Sequence, residues 1–429
     1  MGNPVAPCPF YDQAAAVGAR GAPLGGGFAR LWTANAVSNI GDGVALTAGP
    51  LLLSSLTDDP ALVAGALFVQ QLPWLLFALP AGVVVDRLDR RRLVVLVNVV
   101  RAVVIGALAA AVGTGVVTVV LVYAALFVIG SMETLADSAS TALLPAVVAP
   151  EQLPRANARL MAAQLVGNRL LAPPLGAAVY VVAAAVPFGV NAVTFLVAAL
   201  LIATLRGSMQ APETPASPAP PMLRDIATGM RALLGHPVLR LLALCLCLMN
   251  VTLTGAFSIL VLYARERLGL DEIGFGLLLA ASAVGGLAGS LVAARLLERF
   301  GASLLLRVGL VIETSTHLSL ALARAPWVAL TTMAVFGAHA SLWGVITLSW
   351  RQRVVPDALR GRVNSVYFLF AVGGSALGAL AGGLAARGFG VTAPFWIAFA
   401  GMAALTATAW RLFSAARLDE KHQAPLVVT

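Results

Sequence analysis

The sequence predicts an all-α membrane protein: twelve transmembrane helices in two pseudo-symmetric six-helix bundles. Three observations predict it. Apolar residues make up 59% of the 429-residue chain and charged residues 11%, with a mean hydropathy of +0.91. A water-soluble protein of this length would lack the polar surface to cover itself. Apolar runs long enough to cross a bilayer, about 20 residues each, recur along the whole chain. The charges fall in the short segments between them, so the formal net charge of +9 is a topology signal and not a nucleic-acid surface.

Residues 1–27 hold Pro, Gly and Ala with no continuous apolar core behind a basic start. No cleaved signal peptide is expected, and the segment reads as a flexible cytoplasmic N-terminus. Spans follow near 29–54, 62–84, 93–112, 116–138, 160–184 and 187–205 and build a first bundle over 28–206. Residues 207–237 form a cytoplasmic linker. It opens with the Pro-rich stretch from Ala211 to Pro221 and continues into Met222 to His236. There Leu223, Ile226, Met230, Leu233 and Leu234 share one face, as in an amphipathic helix lying on a membrane surface. A second bundle over 238–414 holds spans near 238–263, 274–296, 303–323, 327–350, 362–386 and 391–413, and 415–429 is a cytoplasmic tail.

Charge placement tests this topology. With both termini in the cytoplasm, 22 basic residues lie inside and only Arg265, Arg267, Arg324 and Arg387 outside; an odd number of spans would scramble that bias. The halves are also related. Pro150-Glu151-Gln152-Leu153 with Arg155 and Asn157 recurs as Pro356-Asp357-Ala358-Leu359 with Arg362 and Asn364, and Gly289 follows Gly82 at a similar offset. Such a duplication relates the bundles by an axis along the membrane normal. Lys421 is the one lysine, which excludes a lysine-dependent phosphate loop and ATP-driven transport by this chain alone. Cys245 and Cys247 lie inside an apolar run and read as small apolar filler. No nucleophile–base pair, metal-ligand spacing or cofactor motif appears, so no enzyme, metal or cofactor is expected.

The segment from Gly82 to Arg92, GVVVDRLDRRR, resembles the loop between helices 2 and 3 of the major facilitator superfamily. Gly82, Asp86, Arg87, Arg90 and Arg91 match its pattern, and Asp89 stands where the family usually has Gly. Ser38 to Gly43, Leu143-Leu144-Pro145, Tyr263 to Glu266 and Arg360 to Tyr367 extend the resemblance. The chain is most similar to the bacterial export branch that contains macrolide-efflux proteins and the enterobactin exporter. That resemblance implies alternating access in a bacterial inner membrane, with both termini cytoplasmic. It also implies a conformational latch made by the loop residues with Asp137, in which Arg90 pairs with Asp137 and Asp86 caps the eleventh helix near Gly361 to Asn364. In the fifth span Ala172-Pro173-Pro174-Leu175-Gly176-Ala177 keeps the Pro and one Gly of the exporters' Gly-Pro-x-x-Gly-Gly element.

Ionisable side chains at membrane depth cost at least ~2.5–3.5 kcal/mol, so each calls for a partner or a task. Asp42, Glu133 and Arg169 are the proton-coupling candidates, with Asp42 open to a plain structural role as well. Arg169 has two readings, a cavity role in which Glu133 or Asp42 neutralises it and plain packing or snorkelling, and Arg101 is expected to snorkel to the headgroups. Glu313 and His317, at i and i+4, form a pair expected to be structural, and His339 reads as an interior histidine. The family's cavity helices suggest Asn35, Asn250, Thr254, Phe257, Trp343 and Thr347 as substrate contacts. The expected partners are a small-molecule substrate, protons and the lipid bilayer around a monomer, without nucleic acid. The expected activity is proton-coupled efflux of an amphipathic drug, antibiotic or siderophore-like metabolite. An importer or uniporter on the same fold, and a transport-inactive receptor or assembly partner, are the alternatives.

Overall fold

The structure, a computed structural model, describes residues 24–205 and 222–413. Side chains at 78–87, 140–142, 222–223, 225 and 357–358 lie outside the description. Four helices, Gly25–Leu56, Pro60–Arg87, Arg90–Gly113 and Val119–Val147, form the first four spans. The fifth is composite: helix Leu153–Ala163, a π-helical stretch Gln164–Leu171, and helix Ala172–Val182. Val186–Ala203 is the sixth. Helix Met222–Gly235 then precedes the seventh span, Pro237–Phe257, which continues past a break as Leu260–Leu268. Glu272–Leu322 contains the eighth and ninth spans, which meet at Gly301. Its φ of 72° and ψ of 160° make a turn that a Cβ would strain. Pro326–Val354, Asp357–Phe389 and Ala393–Ala409 complete the set. Among the described residues ten helices are long and apolar enough to cross a bilayer. Dividing the longest at Gly301 and adding the 17-residue Ala393–Ala409 gives the twelve.

Short polar residues start these helices. Asp59, Asp89, Thr118 and Asp271 each accept a backbone N–H of the first turn, which satisfies a donor the helix itself leaves open. Proline precedes or occupies the first turn of the second, sixth, seventh, tenth and twelfth spans, where its missing N–H costs nothing. Asp89, the departure from the family's loop pattern, caps the third span by accepting from Arg92 N–H at 2.9 Å. Pro150 and Pro356 open corresponding segments, leading into the fifth and eleventh spans, as the internal repeat requires.

Side chains sort by depth and by half. Leu96, Val103, Leu200 and Leu291 are 60% to 72% exposed, which suits an apolar surrounding. Buried clusters near the end that carries most of the arginines (the basic end) belong to one half each. One gathers Phe28, Leu93, Leu143 and Ile202; the other Leu239, Leu306, Trp350 and Phe413. At the opposite end one cluster crosses between halves, joining Leu51, Val63, Ala64 and Ala177 to Ile259, Tyr263 and Phe395. Ion pairs reinforce that seam. Arg265 donates to Ser54 O at 3.1 Å and to Asp58 Oδ1 at 2.8 Å, and Arg387 lies 3.5 Å from Asp59. The second and eleventh spans stay in contact as far as Trp74 against Phe368, ring centroids 5.5 Å apart.

The linker helix is the main departure from expectation. It does not lie apart on a membrane surface: Leu233 is fully buried, and Gly229 packs so close that a Cβ there would stand 2.5 Å from Arg362 O on the eleventh span. The helix is a component of the second bundle.

Candidate functional site

The site is built where the first, third, fourth and sixth spans meet. Gly41 and Gly43 bracket Asp42 on the first span. A Cβ at Gly41 would collide with the Thr194 and Asn191 side chains of the sixth span, and one at Gly43 with Asn168 O of the fifth. The two glycines therefore let neighbouring helices close around the carboxylate. Asn168 Nδ2 also donates to Asn39 O at 3.1 Å. The π-winding of the fifth span fits this contact. Ala172 N–H donates to Gly167 O, five residues back, and Pro173 and Pro174 supply no N–H to the carbonyls behind them.

Asp42 is paired with Arg101. One guanidinium nitrogen lies 3.2 Å from each carboxylate oxygen, and the side chains are 28% and 7% exposed respectively. Arg101 also stacks on the ring of fully buried Phe195, 4.0 Å from its centroid, a placement that favours a cation. This corrects two expectations: Arg101 points into the bundle and not to the headgroups, and Arg169 does not take Asp42 as its partner. Arg169 is exposed on the π-helical stretch. The reason is visible along the third span. Val94, Val97, Asn98, Arg101, Ile105 and Leu108 form its buried stripe, at helical spacing, and Arg101 falls within it.

The field of Arg101 extends to two further acids, Glu133 and Asp137 of the fourth span, and Asp42 and Asp137 act in turn on Glu133. Asp42 alone contacts the guanidinium, while half-buried Glu133 and exposed Asp137 lie within its electrostatic reach. Asn191, 2% exposed, lies within hydrogen-bonding reach of Asp42; it is a neighbour the sequence reading missed. Fully ionised, the three acids with Arg101 carry two negative charges in excess, and a proton or another monovalent cation removes one of them.

The other candidate residues fall elsewhere. The side chains of Gly82, Asp86 and Arg87 lie outside the described residues. Arg91 donates to Leu205 O at 2.7 Å and Arg30 to Thr204 O at 3.0 Å. Both close off carbonyls at the end of the sixth span, so Arg91 makes a bond inside one half. Arg90 begins the third span beside it. Asn35 accepts from Asn39 within the first span. Asn250 accepts from Ser375 at 3.1 Å and serves the contact between the seventh and eleventh spans. Phe257 stacks on Phe336, centroids 5.6 Å apart. Thr254, Trp343 and Thr347 are 8%, 5% and 3% exposed and packed inside the second bundle. Among the described residues no group of three His, Cys, Asp or Glu side chains is arranged to hold a metal ion.

Solved structures with this arrangement are transporters. The nucleoside transporter NupG (D323A mutant) superposes with a TM-score of 0.74 at 11% identity, covering 90% of this chain and 99% of its own. A bacterial homologue of the iron transporter ferroportin, in its inward-facing state, gives 0.71 at 18% identity, covering 90% and 98%. A bacterial homolog of the human lysosomal transporter Spinster, inward-facing and occupied, gives 0.69 at 13%, covering 96% and 98%. At these identities the likeness is one of fold. No curated protein matches the sequence. Residues 20–427 match the family described as transmembrane secretion effector, so the chain belongs to that family of major-facilitator-type membrane transporters.

Proposed function

We propose that the protein is a proton-coupled exporter of amphipathic small molecules, such as a drug, an antibiotic or a siderophore-like metabolite, in a bacterial cytoplasmic membrane with both termini inside. One observation carries the reading: Asp42 is paired with Arg101 inside the first bundle, with two further acids, Glu133 and Asp137, in the field of the same guanidinium. Such a cluster has room for a proton, and a proton moving inward yields ~2.3 kcal/mol per 100 mV. Asp42 is the proton-exchanging group, Arg101 competes with the proton for it, and Glu133 and Asp137 keep the local charge negative. Protonation of Asp42 weakens its hold on Arg101 and so loosens the first span from the third. The seam of Arg265, Asp58, Arg387 and Asp59 closes the outer end in this state. The latch of Asp86, Arg87 and Arg90 would close the inner end in the other state.

Inverted membrane vesicles test the reading, with ethidium as an amphipathic fluorescent probe. Energised vesicles carrying the protein are expected to accumulate ethidium, to lose it on addition of a protonophore, and to fail with Asp42→Asn at unchanged protein level. Accumulation indifferent to the protonophore would overturn proton exchange, and wild-type transport by Asp42→Asn would overturn the assignment of the site.

A further inference from the structure

Three titratable side chains meet between the ninth and tenth spans, away from the Asp42 cluster. Glu313 and His317 lie one turn apart on the ninth span, Oε1 to Nε2 3.8 Å. His339 of the tenth brings its Nε2 to 3.1 Å from Glu313 Oε2. Their exposures are 1%, 1% and 4%. Glu313 Oε1 and both ring nitrogens of His317 have no hydrogen-bond partner. A buried histidine normally gives at least one ring nitrogen a partner, so a polar position here is left open.

Among the described residues, the side chains packed on the group supply no compensating charge. Gly309 faces the His339 ring, where a Cβ would stand 2.8 Å from it, and Phe336 and Trp343 flank that ring edge-on. The twelfth span contributes the Thr406 hydroxyl, which meets Thr314. The eighth span meets the tenth through Gly285, Gly286 and Gly289. On the seventh, Tyr263 donates to Leu320 O, one turn beyond His317. Arg324, exposed just past the end of the ninth span, is about 10 Å from His317 by helical rise, and the nearest charged groups within the two helices are Arg307, about 9 Å away, and Arg351, about 18 Å away. They stack on Trp410 and Tyr367 respectively.

The charge count then decides the state. A carboxylate with two neutral imidazoles leaves one uncompensated negative charge in an apolar interior, a costly arrangement. One added proton makes the group neutral whichever atom holds it, and a second makes it positive. We propose that Glu313, His317 and His339 form a proton-binding site of their own, which holds one proton and so clamps the ninth span to the tenth. His339 donates to Oε2, and the bound proton closes the gap between Oε1 and His317 Nε2. The site goes beyond the transport reading and does not rest on it.

The sign of the pH effect follows. The proton stabilises the folded bundle while it is bound, and its loss at alkaline pH leaves a buried anion, so stability falls as pH rises. The full-length protein in detergent is expected to lose about 3 °C or more of Tm between pH 6 and pH 9. Glu313→Gln, which cannot ionise, should flatten that profile, whereas Asp42→Asn should retain it. The chain has four histidines, so NMR of 15N-histidine-labelled protein reads the site even where a variant folds poorly. The His317 and His339 signals should change together over that range. Signals that stay constant from pH 6 to pH 9, or a Glu313→Gln profile that parallels the wild type, would overturn the proposal.

Discussion

The helices packed around the first span and those packed around the seventh occupy corresponding places in the two halves, yet they are built differently. In the first half Gly41 and Gly43 close the neighbouring helices around an ion pair. In the second, Gly374, Gly378 and Gly382 let the eleventh span touch the backbone of Cys247, Val251 and Gly255, and the polar contact is the neutral Asn250–Ser375 hydrogen bond. Close packing is achieved in both, but only one employs a charge. Close packing alone therefore does not require an ionisable group at Asp42, in keeping with the task proposed for it. The latch Asp86 tells the same story at the level of sequence, because its counterpart is Ala293.

The largest break in this comparison is expected from Arg101→Leu. It strands Asp42 beside two other acids and should cost about 3–5 kcal/mol, the cost of a buried charge without its partner, read as lost thermal stability of purified protein. Making the surroundings of the first span as neutral as those of the seventh, with Asp42→Leu and Arg101→Leu together, should recover most of that loss while transport stays absent. A double variant no more stable than the single one would mean that the pair holds the bundle together. Next in size are Gly43→Leu and Gly378→Leu, which drive a side chain into Asn168 O or Val251 O and should each cost about 1–3 kcal/mol. Gly49 faces open space, so Gly49→Ala should be neutral or stabilising by up to about 1 kcal/mol. The smallest effect is expected from Arg265→Gln. Its pair with Asp58 is largely exposed and contributes about 0–1 kcal/mol, so the change should appear as altered accessibility of a cysteine label at the seam and not in Tm.

The spans, the duplication and the charge bias were legible because each depends on composition and order along the chain. Asp42 stood out for the same reason, a lone acid deep in an apolar run. Its partner was not legible. In a soluble helix the stripe from Val94 to Leu108 would be apolar against a polar opposite face and would mark Arg101 as inward. Here the opposite face holds Leu96, Val99 and Val103, exposed and apolar too, so periodicity carries no direction. Helix Met222–Gly235 failed for a related reason: an apolar stripe says that something covers it, not whether lipid or protein does. Trp343 and Thr347 are buried, and membership of a cavity-lining helix leaves open which side of it a residue occupies. The His317–Glu313 pair was visible as i and i+4, whereas His339 joins it only once the ninth and tenth spans are packed.

Seating helix Met222–Gly235 on the eleventh span through Gly229 and Leu233 has a practical consequence. Its exposed side, which carries Arg224 and Arg231, is a handle attached to one moving half. A dye or an antibody fragment placed there reports the swing of the second bundle against the first from the water, without a label ever entering the membrane.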